Sequence, residues 1–160
     1  MLRISKLTDY ATVILANLAQ EPQRVHTAAA IAARTRVAAP TVSKVLKQLQ
    51  RAGLVTSTRG LHGGYQLARP AAEISAASIL DALEGPLALT DCSVGRGRCD
   101  IEGSCHVGDA WQQVNFAIRR ALYEVSLAQL AGLEASGQRQ RMPAFERELI
   151  RLTGRVSPRA

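Results

Sequence analysis

Apolar residues at Ile4, Leu7, Ala11, Ile14, Leu15 and Leu18 recur three and four positions apart, and Pro22 lies just beyond them. That spacing predicts a helix from about Ser5 to Gln20 with one buried face. Thr27 is a good N-cap for AAAIAAR, a second helix running through about Arg34. After the turn TRVAA comes PTVSKVLKQLQRAG, with Pro40 in its first turn and Gly53 just past its end. Val42, Val45, Leu46 and Leu49 share the inner face of this third helix, which leaves Thr41, Ser43, Lys44, Lys47 and Gln48 outside. The helical period then stops. LVTST and YQLAR read as two strands joined by RGLHGG, whose Gly60, Gly63 and Gly64 permit a tight loop.

Further along, ASILDALEG has Ser75 to cap it and Gly85 to end it, and is expected to pack beneath the hairpin. In DAWQQVNFAIRRALYEV and the residues before it, Val107, Trp111, Val114, Ile118, Leu122 and Val125 follow one another at steps of four or three. Such a seam suits pairing of two helices from two copies, although a helix packed on its own core has a similar pattern. The fold class is mainly α with a small β-hairpin. We divide the chain into a helix-turn-helix and hairpin unit (1–70), a linking helix (71–90), a cysteine-bearing loop (91–106), a dimerisation helix (107–132) and a tail (133–160). The tail is basic and polar apart from a possible helix, AFERELIRL, and is expected to be partly disordered.

Charge changes what the first unit means. The net charge of +7 is unevenly spread: residues 1–70 hold ten Lys+Arg against two Asp+Glu, and residues 71–133 four against eight. A basic helix-turn-helix followed by a hairpin is a winged helix, an architecture for double-stranded DNA. The third helix would enter the major groove, with Thr41, Ser43 and Lys44 near base edges and Lys47 on phosphate. Arg59 would lie at the minor groove, and His62 would meet phosphate or remain a solvated turn residue. A merely solubilising role for Lys44 and Lys47 is the plain alternative. His26 and His62 have no identifiable nucleophile partner, and phosphate loops and zinc-protease motifs are absent, so the chain does not read as an enzyme. With no cleavage-type leader or membrane span, it is expected to be soluble and cytoplasmic.

All three cysteines fall in DCSVGRGRCDIEGSC, spaced C-x6-C-x5-C at Cys92, Cys99 and Cys105. Disulfides are rare in a reducing compartment. Structural zinc sites favour closely spaced pairs, whereas iron–sulfur clusters take thiolates from wider loops. Gly95, Gly97 and Gly103 would let this loop wrap a cluster, and Arg96 and Arg98 would favour thiolate over thiol. The residues alone leave iron–sulfur, zinc and unmetallated thiols open.

ISKLTDYATVILANLA, PTVSKVLKQLQRAGLV, RGLHGGYQLARP and ISAASILDALEGPLALTDCS resemble the IscR/NsrR-type winged-helix regulators, most of all the branch that regulates SUF iron–sulfur assembly. The resemblance spans residues 1 to about 132. It implies a homodimeric repressor of iron–sulfur assembly genes, without a small-molecule substrate, whose DNA binding follows the state of a cluster on Cys92, Cys99 and Cys105. A [2Fe–2S] cluster is favoured over [4Fe–4S]. The fourth ligand would be Asp9 from the partner subunit, as in the NsrR-like members, or else His106. In the IscR-like members the ligand histidine stands three positions after the last cysteine, and this chain has Gly108 there. Those members also carry an acid where Ser43 stands, so their operator preference does not transfer. A constitutive DNA-binding protein with bystander cysteines and an iron–sulfur redox protein are the remaining alternatives.

Overall fold

The computed structural model describes residues 3–94 and 97–134. Helix α1 (Lys6–Gln20) starts at Ser5, whose hydroxyl accepts from the Thr8 N–H at 3.2 Å. This satisfies one of the donors that a first helical turn leaves without a partner. Thr27 caps α2 (Ala28–Thr35) in the same way through the Ala30 N–H. Arg36 ends α2 with a φ of 57°, a left-handed turn by a non-glycine residue that aims the chain into α3 (Ala39–Arg51). The expected inner faces meet: Ala11, Ile14, Leu15 and Leu18 of α1 are buried in one core with Ile31 of α2 and Val42, Val45, Leu46 and Leu49 of α3.

The hairpin follows directly. Strand β1 (Val55–Thr58) pairs antiparallel with β2 (Gly64–Leu67), with Val55 opposite Leu67 and Thr58 opposite Gly64. The base of the hairpin is buried through Val55 and Leu67. His26 extends the sheet: its N–H donates to the Tyr65 carbonyl at 2.9 Å, and the Tyr65 N–H returns a bond to His26 at 2.8 Å. A Cβ on Gly64 would collide with that His26 carbonyl, so close backbone approach requires glycine there. Gln50 Nε2 donates to Ser57 Oγ at 2.8 Å, tying the end of α3 to β1.

Helix α4 (Ala76–Glu84) begins at Ser75 and stops at Gly85, whose φ is 83°. It packs on α1, α3 and α6 (Gly108–Glu124), and not beneath the hairpin as expected. Contacts from α3 and α1 already occupy the inner side of the hairpin. Residues 91–105, expected to be loop, contain a helical turn α5 (Asp91–Val94) and a 3-10 turn at Glu102–Ser104.

The largest departure lies in 107–132, where one continuous helix was expected. Helix α6 ends at Glu124, Val125 is extended, and Ser126 begins a short α7 (Leu127–Leu130). A reciprocal cap enforces the break: Ser126 Oγ accepts from the Gln129 N–H, and Gln129 Oε1 accepts from the Ser126 N–H. Leu127 is fully buried, and its N–H donates to Ile74 at 2.7 Å. The chain therefore returns to the core after α6. The segment AFERELIRL lies outside the described residues.

Candidate nucleic-acid interface and cysteine loop

Helix α3 begins at Ala38 with no side-chain cap, so the Ala39 and Thr41 N–H groups are not taken by a capping side chain. An uncapped helix start is a natural seat for phosphate. Thr41 and Ser43 are half-buried at its flank, and Lys44 and Lys47 are exposed. Among the described residues, Lys44, Lys47 and Arg59 pair with no carboxylate, whereas Arg24 and Arg34 are both held by Glu21, at 3.1 and 3.3 Å. The positive charge of the first unit is thus sorted into cations that are internally paired and cations that are free. Arg36, exposed in the turn between α2 and α3, belongs with the free ones, and the sequence reading missed it. A basic residue inside the turn of a helix-turn-helix was the signal.

At the wing tip, the Gly63 N–H donates to the Gly60 carbonyl at 2.9 Å, and Gly60 has a φ of 106°. A Cβ on Gly63 would collide with the Thr58 carbonyl oxygen. Arg59, Leu61 and His62 are exposed around this turn. His26, which sequence left without a role, is 4% exposed, with Nε2 3.8 Å from Glu21 Oε2. It is a packing residue behind the wing.

The cysteine loop is held at its entrance. Asn115 of α6 is buried and its Oδ1 accepts from the Leu89 N–H at 3.2 Å, while Thr90 and Ser93 share a hydroxyl hydrogen bond of 2.8 Å. One helix turn further, Arg119 forks onto Asp81 of α4 at 3.0 and 3.3 Å, a geometry that fixes the two helices against each other. Cys92 lies within α5, Cys99 in the turns that follow, and Cys105 after the 3-10 turn. Cys99 and Cys105 are free thiols, both half-buried. The Cys92 side chain, Gly95 and Arg96 lie outside the described residues. Among the described residues no group of three His, Cys, Asp or Glu side chains is gathered to hold a metal. The donor set itself, two free half-buried thiols on an anchored loop with a third cysteine on α5, fits a thiolate-bound cluster.

The two fourth-ligand candidates have different settings. His106 is exposed next to Cys105. A Cβ at Gly108 would stand 4.0 Å from Cys105 Sγ, so position 108 adjoins the thiol and this chain supplies no donor there. Asp9 is exposed in the first turn of α1 and lines a groove of about 970 Å³ with Ile4, Ile79, Leu80, Leu122 and Val125. Beside it, Glu84 accepts from the Thr8 hydroxyl at 2.5 Å and the Ser5 N–H at 3.0 Å. These bonds, that from Thr8 foremost, hold its carboxyl below the ordinary carboxylate range. Nothing in the sequence marked Glu84. The apolar stripe of α6 remains uncovered, with Trp111 and Val114 both more than two-fifths exposed.

A family model described as "Rrf2: Iron-dependent Transcriptional regulator" matches residues 4–132. A candidate HTH-type transcriptional regulator of Neisseria meningitidis is 31% identical, over 90% of this chain and 97% of its own length. Among solved structures, CymR, the global cysteine regulator of B. subtilis, superposes with a TM-score of 0.67 at 25% identity, covering 84% of this chain and all of that one. IscR of T. potens superposes at 0.62 with 28% identity, over 87% and 93% of the two chains. These proteins are transcriptional regulators and not enzymes. No helix among the described residues is long and apolar enough to cross a membrane.

Proposed function

The chain belongs to the Rrf2 family of transcriptional regulators, and from that premise we propose that it is a homodimeric, cytoplasmic repressor that binds an operator according to whether its cysteine loop holds an iron–sulfur cluster. Its targets would be iron–sulfur assembly genes. The observation that carries this reading is that Asp9 lines the same apolar groove as Leu122 and Val125, the last residues of the apolar stripe of α6. A second copy's α6, seated there, would cover both apolar surfaces and carry its own cysteine loop toward Asp9.

Cys92, Cys99 and Cys105 would hold the cluster and Asp9 of the second copy would complete it, with His106 as the alternative. The cluster would supply an oxygen-sensitive redox centre, [2Fe–2S] in preference to [4Fe–4S]. On the protein side, α1 carries Asp9 at one end and packs directly on α3, so a change in the seat of α1 is a change in the setting of the recognition helix. Coupling of this kind typically alters affinity by about 5- to 150-fold. Thr41, Ser43 and Lys44 would meet base edges, while Lys47, Arg59, His62 and Arg36 would meet the backbone or minor groove.

The test is anaerobic purification with iron and sulfide analysis, followed by DNA binding of the loaded and stripped forms. Brown protein whose affinity changes on stripping supports the reading. Colourless protein that binds DNA with full affinity supports a second one, in which the thiols hold no cluster. The likeness to CymR, described as a global cysteine regulator, favours that alternative.

A further inference from the structure

Leu61 is 96% exposed at the apex of the wing, the most exposed large apolar side chain among the described residues. Single exposed leucines are common and need no explanation in themselves. This one is presented by its surroundings. The turn beneath it is closed by the bond from the Gly63 N–H to the Gly60 carbonyl. Glycines at 60, 63 and 64 leave Leu61 and His62 as the only side chains of residues 60–64. Two of those glycines cannot be exchanged without collision, Gly63 against the Thr58 carbonyl and Gly64 against His26. The tip is therefore slim, and its shape is fixed by backbone packing.

The base of the wing is equally constrained. Two backbone bonds join His26 to Tyr65, and Gln50 joins Ser57 to the end of α3, so the tip's position is set relative to the recognition helix. No neighbour among the described residues buries Leu61, whose side chain stands beyond the last paired residues, Thr58 and Gly64. Arg59, free of any carboxylate among the described residues, flanks it. A thin, stiff projection with an apolar apex beside a guanidinium suits the minor groove, which is about 6 Å wide, is lined by sugars, and attracts arginine where it narrows. Proteins that enter it often push leucine or a similar side chain between base steps that unstack easily.

We propose that Leu61 is a minor-groove wedge, which the wing inserts beside Arg59 so that the protein reads the deformability of the base step beneath it. The inference rests on the DNA-binding reading of the wing. It adds a residue that contributes site preference without charge and without a base hydrogen bond.

Duplexes of 30 base pairs selected by the unaltered protein from a random-sequence library provide the probe, with a scrambled duplex as control. Affinity is measured over a salt series, and the end-to-end distance of a doubly labelled duplex reports bending. Leu61→Ala is expected to weaken the selected duplex about tenfold and the scrambled one less than twofold, to leave the salt slope unchanged, and to reduce the bend. Leu61→Met should retain most of the effect. Arg59→Ala should instead lower the salt slope by about one. If Leu61→Ala matches the parent on the selected duplex, or weakens both duplexes equally, the wedge is refuted while DNA binding by the wing stands. If the parent selects no duplex at all, the DNA-binding reading falls and the wedge with it.

Discussion

In the proposed cluster site Cys92, Cys99 and Cys105 would not substitute for one another, because each thiolate would close one coordination position on iron. Each Cys→Ala variant is expected to lose the visible absorption and most of its iron and sulfide while remaining folded; full iron and sulfide in any one of them removes that cysteine from the ligand set. For the fourth position, Asp9→Ala and His106→Ala should leave three thiolates in place, so an altered or oxygen-labile spectrum is expected from the true ligand and none from the other. On DNA, residues divide by what they touch. Lys47→Ala should weaken all sequences alike and lower the salt slope by about one. Ser43→Ala and Lys44→Ala should cost about 1–3 kcal/mol on the selected site and relax its preference, which binding to selected and scrambled duplexes would reveal. Identical behaviour of all three would mean that the outward face of α3 is not the reading surface.

Between elements, a few polar ties set the geometry. Glu84 joins the C-terminus of α4 to the first turn of α1 through Ser5 and Thr8. Because its carboxyl is held below its ordinary value of 4.5, the charged form is the stabilising one. That contribution is present above the ordinary value and is lost as the pH falls through the lowered folded-state value. Glu84 is exposed, so solvent screening keeps the effect small, about 0.5–1 kcal/mol for Glu84→Gln near neutral pH. Thermal melts of parent and variant should differ at pH 7 and converge only once the pH has fallen below the lowered folded-state value. A gap that persisted unchanged into acid would show that the carboxylate charge is not what ties the helices.

At the scale of the whole molecule, α6 presents Trp111 and Val114 with nothing among the described residues to cover them. Val114→Glu should place a charge in the seam and shift the protein from dimer to monomer in sedimentation, with a cooperative melt retained because Val114 lies outside the core. The same variant should weaken a palindromic site far more than a single half-site, since two recognition helices must span about one DNA turn, ~34 Å. A Val114→Glu protein that remains dimeric would relocate the interface away from this stripe.

Much of the fold was set by local signals. Periodicity placed α1, α2 and α3, Ser5, Thr27 and Ser75 capped their helices as their side-chain chemistry requires, and glycine placement located the hairpin. Charge and order of elements identified the DNA-binding half. The end of α6 escaped that reading because the apolar period runs on past Glu124, although the pattern Ser126-Leu-Ala-Gln129 carried the capping signal. Only tertiary contacts decided the rest. Leu127 returns to the core because burial beside Ile74 outweighs helix continuation, α4 lies against α1 because the hairpin's inner side is already filled, and Glu84 gains its partners from residues 79 and 76 positions away. Which arginines are free for DNA was likewise a three-dimensional matter, since Arg34 is neutralised by a Glu21 that local sequence does not pair with it. Local propensity acts within a few residues, whereas packing and charge pairing depend on distances that exist only once the chain has folded.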